Sequence, residues 1–205
     1  GGRVKYDWGR HLDEIIEKTR KKALEHVGKS SKEYEVAFTL NTTYGLNLLL
    51  SQLPAGKYQR VVTSETEHNS VVLPTLAVAK RLSLPRKILE RKEDGSLSYQ
   101  AEDLSGAIVV VNAVSNIDGR ILRNARILAD DLHRAGCILI LDGAQSMTDG
   151  TLWHEVDFDA LCFSGHKMYA PSLGGIIVKT KLLESLELSF VGGGMVEKLD
   201  EQGFA

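Results

Sequence analysis

The stretch Ile138–Pro171, ILILDGAQSMTDGTLWHEVDFDALCFSGHKMYAP, decides how the chain is read. It opens inside a continuous apolar run, Cys137 to Leu141, of the kind found in strands covered on both faces. The run stops at Asp142, and Gly143 follows at once. A second run, Asp157 to Phe163, stops at Ser164-Gly165-His166-Lys167. An acid at the C-terminal end of one buried strand and a lysine at the end of another is how an open α/β sheet presents reactive groups to a crevice.

The same pattern extends outward in both directions. Upstream, Ala107 to Val111, Arg86 to Leu89, Arg60 to Thr63 and Tyr34 to Leu40 read as strands; downstream, Gly175 to Lys179 does. Between them lie helical segments. Leu12, Ile15, Ile16, Thr19, Ala23 and Val27 recur near helical spacing over residues 10–28, and Gly28 ends the segment. Leu46 to Leu53 is an apolar helix stopped by Pro54, a further helix follows Ser70 to about Leu82, and Asn124 to Ala135 ends at Gly136. Lys181 to Leu188 reads as a short helix. This alternation predicts a three-layer α/β/α arrangement around a mostly parallel sheet of about seven strands.

Composition narrows the class. A chain of 205 residues suits one domain with a good core, so residues 1–205 are expected to form a single unit. A net charge of -2 offers no electrostatic case for nucleic acid or an anionic membrane. No apolar run is long enough to span a bilayer, and no secretory leader pattern is present, so a reducing cytoplasm is the expected compartment. Cys137 and Cys162 sit inside strand runs and read as small core residues rather than a disulfide or a metal pair; no metal site is expected.

Polar groups collect where the apolar runs end. Asn41-Thr42-Thr43-Tyr44-Gly45 joins a strand to a helix, whose N-terminus offers free N–H groups and a positive dipole end suited to a phosphate. Either threonine is also a plain N-cap candidate. Glu67-His68-Asn69 follows the second strand, and Asn116 lies in a turn closed by Gly119. Singly, a lysine after a strand is a solvated loop residue and a strand-end aspartate is a cap. The ordered set Asp142, Gln145, Ser164, His166 and Lys167 asks for a common explanation.

Asp142-Gly143-Ala144-Gln145-Ser146, then Asp157-Phe158-Asp159, then Phe163 to Pro171 together resemble the class V aminotransferase group of pyridoxal 5'-phosphate (PLP) enzymes, of fold type I. Within it the chain looks most like the cysteine desulfurase and selenocysteine lyase branch. The resemblance implies PLP as cofactor, Lys167 as its Schiff-base lysine and Asp142 as the partner of the pyridinium nitrogen, which keeps the ring an electron sink. It implies that Thr42, Thr43, Ser164 and His166 hold the phosphate, that Asn116 meets the ring hydroxyl oxygen, and that His68 lies over the ring and moves protons. Gln145 belongs to the same set, and Lys167, His68 and Asp142 are the implied catalytic residues. An amino-acid substrate and a homodimer or partner chain follow from the same likeness.

Two positions depart from the family pattern. Leu122 stands where relatives usually carry proline, and Lys198 stands near a threonine position that follows a glycine-rich segment, here Gly192 to Gly194. Relatives extend past both ends, with a smaller C-terminal domain bearing a substrate-carboxylate arginine and, in desulfurases, a catalytic cysteine. Residues 1–205 are therefore expected to be the PLP-binding large domain without that smaller domain. The alternative expectation is a truncated PLP-fold domain with a structural or binding role and little catalytic activity.

Overall fold

The apolar runs pair into one sheet because each is hydrophobic on both faces and must be covered twice. A computed structural model describes residues 6–189, 199–200 and 203–204. Its strands are β1 (Tyr34–Thr39), β2 (Arg60–Ser64), β3 (Arg86–Leu89), β4 (Ala107–Asn112), β5 (Ile138–Asp142), β6 (Ala160–Ser164) and β7 (Gly174–Lys179). They form a seven-stranded sheet in the order β1-β7-β6-β5-β4-β2-β3. Every neighbouring pair from β6 to β3 is parallel, while β7 runs antiparallel to both β1 and β6. The C-terminal ends of β1, β2, β4, β5 and β6 therefore share one edge of the sheet, where β7 begins. A separate pair, β8 (Leu199–Asp200) and β9 (Gly203–Phe204), completes the described strands.

Helices cover the two faces with the period of a strand. The helices are α1 (Asp7–His26), α2 (Thr42–Ser51), α3 (Asn69–Arg81), α4 (Ala101–Leu104), α5 (Ala125–Arg134) and α6 (Thr180–Leu183). In β4, Val109 and Val111 pack with Leu24 of α1 and Leu128, Ala129 and Leu132 of α5. The intervening Ile108 and Val110 pack with Leu46, Leu49 and Leu50 of α2 and Val71 and Val78 of α3. Alternate side chains of a strand point to opposite faces, so one run feeds both cores.

The structure departs from the sequence reading at several boundaries. β6 starts at Ala160, not Asp157. Asp159 instead accepts the Leu139 N–H (2.8 Å) and pairs with His133 Nε2 (3.0 Å). Asp157 accepts the Tyr34 hydroxyl (3.0 Å) and pairs with Lys179 (2.8 Å). Those bonds lock the sheet edge opposite the one where Asp142 and Lys167 lie. α2 begins at Thr42 rather than Leu46, and its N-cap is Asn41, whose side chain accepts the Tyr44 N–H (2.9 Å). Neither Thr42 nor Thr43 is the cap. α6 ends at Leu183, short of Leu188. The glycine-rich run at 192–194 and Lys198 lie outside the described residues.

The central strands tolerate little loss of volume. Ile140 is fully buried in β5. Ile140→Ala should cost about 2–5 kcal/mol through lost transfer energy plus a residual cavity. Urea unfolding should show a lower midpoint with an unchanged slope. A midpoint equal to wild type would mean that this layer is not tightly packed.

Candidate active site

Five of the strands deliver their ends to one cleft of about 210 Å³. From the start of α2 come Asn41, Thr42 and Thr43; from the start of α3, His68 and Ser70; from the end of β4 and the loop after it, Asn112, Val114 and Asn116. The loop after β5 contributes Asp142, Ala144 and Gln145, and the end of β6 contributes Ser164, His166 and Lys167. Every residue singled out from the sequence thus borders the same cavity. Asn41, Ser70, Asn112, Val114 and Ala144 were not anticipated. The sequence hint for Ser70 was its place two residues after His68, at a helix start.

The α2 N-terminus is held against β6 by two contacts on one hydroxyl. The Thr42 N–H donates to Ser164 Oγ (2.9 Å), and Thr42 Oγ1 lies 2.8 Å from the same oxygen. Both residues are buried. The close approach depends on Gly174 in the adjoining strand, where a Cβ would fall 2.5 Å from the Asn41 Cα. With the Tyr44 N–H capped by Asn41 and the Gly45 N–H bonded to the Asn41 carbonyl (3.0 Å), the Thr43 N–H is the first-turn amide without a partner among the described residues. An exposed helix-start amide beside the Thr43 hydroxyl is a natural anion contact.

His68 is the N-cap of α3. Its Nδ1 accepts the Ser70 N–H (3.1 Å) and lies 2.8 Å from Ser70 Oγ, which in turn meets Thr43 Oγ1 (2.8 Å). An accepting Nδ1 assigns the neutral ring's proton to Nε2. The loop bearing Asn116 is closed by the Ser115 N–H to the Arg120 carbonyl and by the Leu122 N–H to the Ala113 carbonyl, each 3.0 Å. Proline at position 122 lacks the second donor, so the departure from the family pattern adds a bond to this loop.

Asp142 is the electrostatic centre. It is 4% exposed and accepts one bond, from the Ala144 N–H (2.9 Å). Burial raises its pKa above the usual carboxylate range, while that bond and the charges of Lys167 and His68 pull it back. Lys167 and His166 are exposed in the single turn Gly165–Met168. An acid sealed into the floor and a free amine at the rim leave room for a group that meets both.

Behind the floor lies a second buried acid that the sequence reading quoted but did not assign to the site. Glu67 is 7% exposed, and burial lifts its pKa from 4.5 to about 7. Between those values the unfolded chain gives up the proton that the fold retains, so Glu67 makes stability fall as pH rises through this window. Glu67→Gln removes that titration. The unfolding free energy of the Gln variant relative to wild type should therefore move in favour of Gln from about pH 5 to about pH 8. Equal differences at both pH values in urea melts would show that Glu67 ionises normally in the fold.

The class V aminotransferase family model matches residues 1–205. A probable cysteine desulfurase of Chlamydia muridarum is 36% identical over 184 residues, covering 83% of this chain and 44% of that protein. A cysteine desulfurase of Haloferax volcanii is 32% identical over 186 residues, covering 85% and 43%. The apo structure of a cysteine desulfurase from Thermococcus onnurineus NA1 superposes with a TM-score of 0.85 at 27% identity, over 100% of this chain and 52% of that one. The chain thus spans about half the length of the relatives it matches. With the family model covering every residue and the sheet superposing on a family fold, the chain belongs to the class V aminotransferases.

Proposed function

We propose that the cleft is a PLP site and that residues 1–205 are the cofactor-binding large domain of a cysteine desulfurase-type enzyme acting on an amino acid. The observation that carries this reading is the convergence of Asp142, Lys167, His68, Asn116 and the α2 N-terminus on one cavity from separate strand ends. The donor set fits the group. Asp142 is buried with a single hydrogen bond and calls for a cationic N–H partner, which a protonated ring nitrogen is. The Thr43 amide and hydroxyl, with His166, offer donors for a phosphate, while Thr42 holds Ser164 in place among them.

When bound, PLP supplies an aldehyde for amines and a ring that withdraws electrons from the substrate's α-carbon. The protein's part is to hold and orient it. Lys167 is the amine that would hold the aldehyde end. Asp142 would keep the ring nitrogen protonated, Asn116 and Gln145 would hold the ring from the cavity wall, and His68, whose Nδ1 accepts from Ser70, would present Nε2 as the proton-bearing atom. Cysteine is the substrate suggested by the names of the relatives. Pairing with a second copy or a partner chain belongs to the same proposal. Among the described residues no helix is long and apolar enough to cross a membrane.

One observation favours the second reading, a cofactor-holding domain with little turnover of its own. Both cysteines, Cys137 and Cys162, are buried in the sheet region and neither lines the cleft.

The test is covalent attachment. Wild type mixed with PLP should absorb in the near-visible and gain a stable mass after borohydride reduction. Lys167→Ala should lose both, and Asp142→Asn should keep the mass gain while its band shifts. An unchanged mass gain in Lys167→Ala would place the attachment on another lysine.

A further inference from the structure

The end of β4 is unusual in how its backbone is satisfied. β2 pairs with β4 only as far as Val62 opposite Val109, so Asn112 has no strand on that side. On its other side it is in register with Asp142, and the Ala113 N–H donates to the Asp142 carbonyl (2.9 Å). In a parallel strand the N–H and C=O of one residue point the same way, so both Asn112 groups face the missing strand. Side chains replace it. Glu67 Oε2 accepts the Asn112 N–H (2.7 Å), and both Nη atoms of Arg91 lie 3.3 Å from the Asn112 carbonyl oxygen.

The Asn112 side chain is clamped as well. Its Oδ1 accepts from Arg91 Nη1, and its amide nitrogen donates to the Thr66 carbonyl (2.6 Å). Glu67 is itself fixed by the Ser64 hydroxyl, which donates to Oε1. Ser64, Glu67, Arg91 and Asn112 are all buried. An acid and a guanidinium sealed behind a cleft are costly unless they are hydrogen-bonded, as these are, both to Asn112. Satisfying two backbone groups alone needs no charges. What this cluster fixes in addition is Asn112, which lines the cleft, and the strand end from which Val114 and Asn116 enter it.

We infer that Glu67 is a positioning residue for the cofactor: fixed by Ser64, it sets through Asn112 where the floor acid Asp142 and the Asn116 loop stand relative to the ring. The inference rests on the PLP reading of the cleft. Above the Glu67 pKa of about 7, removing the carboxylate leaves the Asn112 N–H without its charged acceptor. Removing the Ser64 hydroxyl frees one oxygen of Glu67 and lets the carboxylate turn. Either change loosens the strand end under the ring without touching a group that contacts it.

The full chain and its Glu67→Gln and Ser64→Ala variants are titrated with PLP at about pH 8, where Glu67 is ionised. Affinity, the circular dichroism induced in the bound cofactor's band and thermal unfolding are measured separately. Glu67→Gln should weaken affinity by about tenfold, the value of one charge-assisted hydrogen bond, and Ser64→Ala by less. Both should lower the induced signal per bound cofactor, because that signal reports ring orientation. Lower melting temperatures with wild-type affinity and dichroism would overturn the inference and leave Glu67 a purely structural acid. If Glu67→Gln does not fold, Ser64→Ala decides by the same criteria. A wild type that takes up no PLP sinks the cofactor reading itself, whereas a loaded wild type with unchanged variants sinks only the role of Glu67.

Discussion

A carboxylate sealed at the end of a strand covered on both faces is the constraint on which this structure turns. Asp142 ends β5, which lies between β4 and β6 in the middle of the sheet, and it is held there by register on both sides. A buried charge without a full set of partners is expensive in free energy. The fold answers with one N–H and with the fields of Lys167 and His68, and burial still leaves the acid harder to ionise than in water. Such a group is stable in place only because the surrounding strands are over-determined by packing, and it retains a strong demand for a cationic donor.

The opposite edge of the sheet shows what satisfied charge looks like. There His133 bridges Asp157 and Asp159 through its two ring nitrogens, each at 3.0 Å, and Lys179 meets Asp157 at 2.8 Å. The Leu139 N–H shares Asp159 Oδ2 with the imidazole, and the Tyr34 hydroxyl shares Asp157 Oδ1 with Lys179. Every acid in that cluster has several partners, and it knits the beginnings of β5 and β6 to the end of β7. At the cleft edge the acid and the amine stay separate. One sheet thus carries densely paired polar strand ends at one edge and a sparsely paired acid at the other.

Much of this was legible because the informative features are local. Continuous apolar runs that end in Asp142 or Lys167 announce both a buried strand and the edge at which its polar terminus emerges. The cleft residues follow from that rule once strands and helices alternate. The antiparallel course of β7 was not legible, since Gly174–Lys179 has the same apolar composition as its parallel neighbours. α4 is a single turn, too short to show a period, and Asn41 took the cap that the threonines were offered. Glu67, Arg91 and Asn112 were invisible as a unit because their association arises from a ladder that stops early, a property of two strands far apart in the chain. Asp157-Phe158-Asp159 was read as the start of a strand although its acids serve the far edge.

The two thiols carry the division of labour one step further. The thiolate is the reactive form of cysteine, and apolar burial keeps a thiol protonated. Cys162 lies within the sheet beneath Gly45, where a Cβ would come 3.4 Å from its sulfur, and burial drives its pKa strongly upward. Cys137 donates to the Leu104 carbonyl (2.7 Å) and is likewise raised by burial. Both are buried in the packed layers, and neither lines the cleft. The polar groups at the cleft are those of Asp142, Lys167 and the helix starts, while both thiols serve the two cores as small apolar residues.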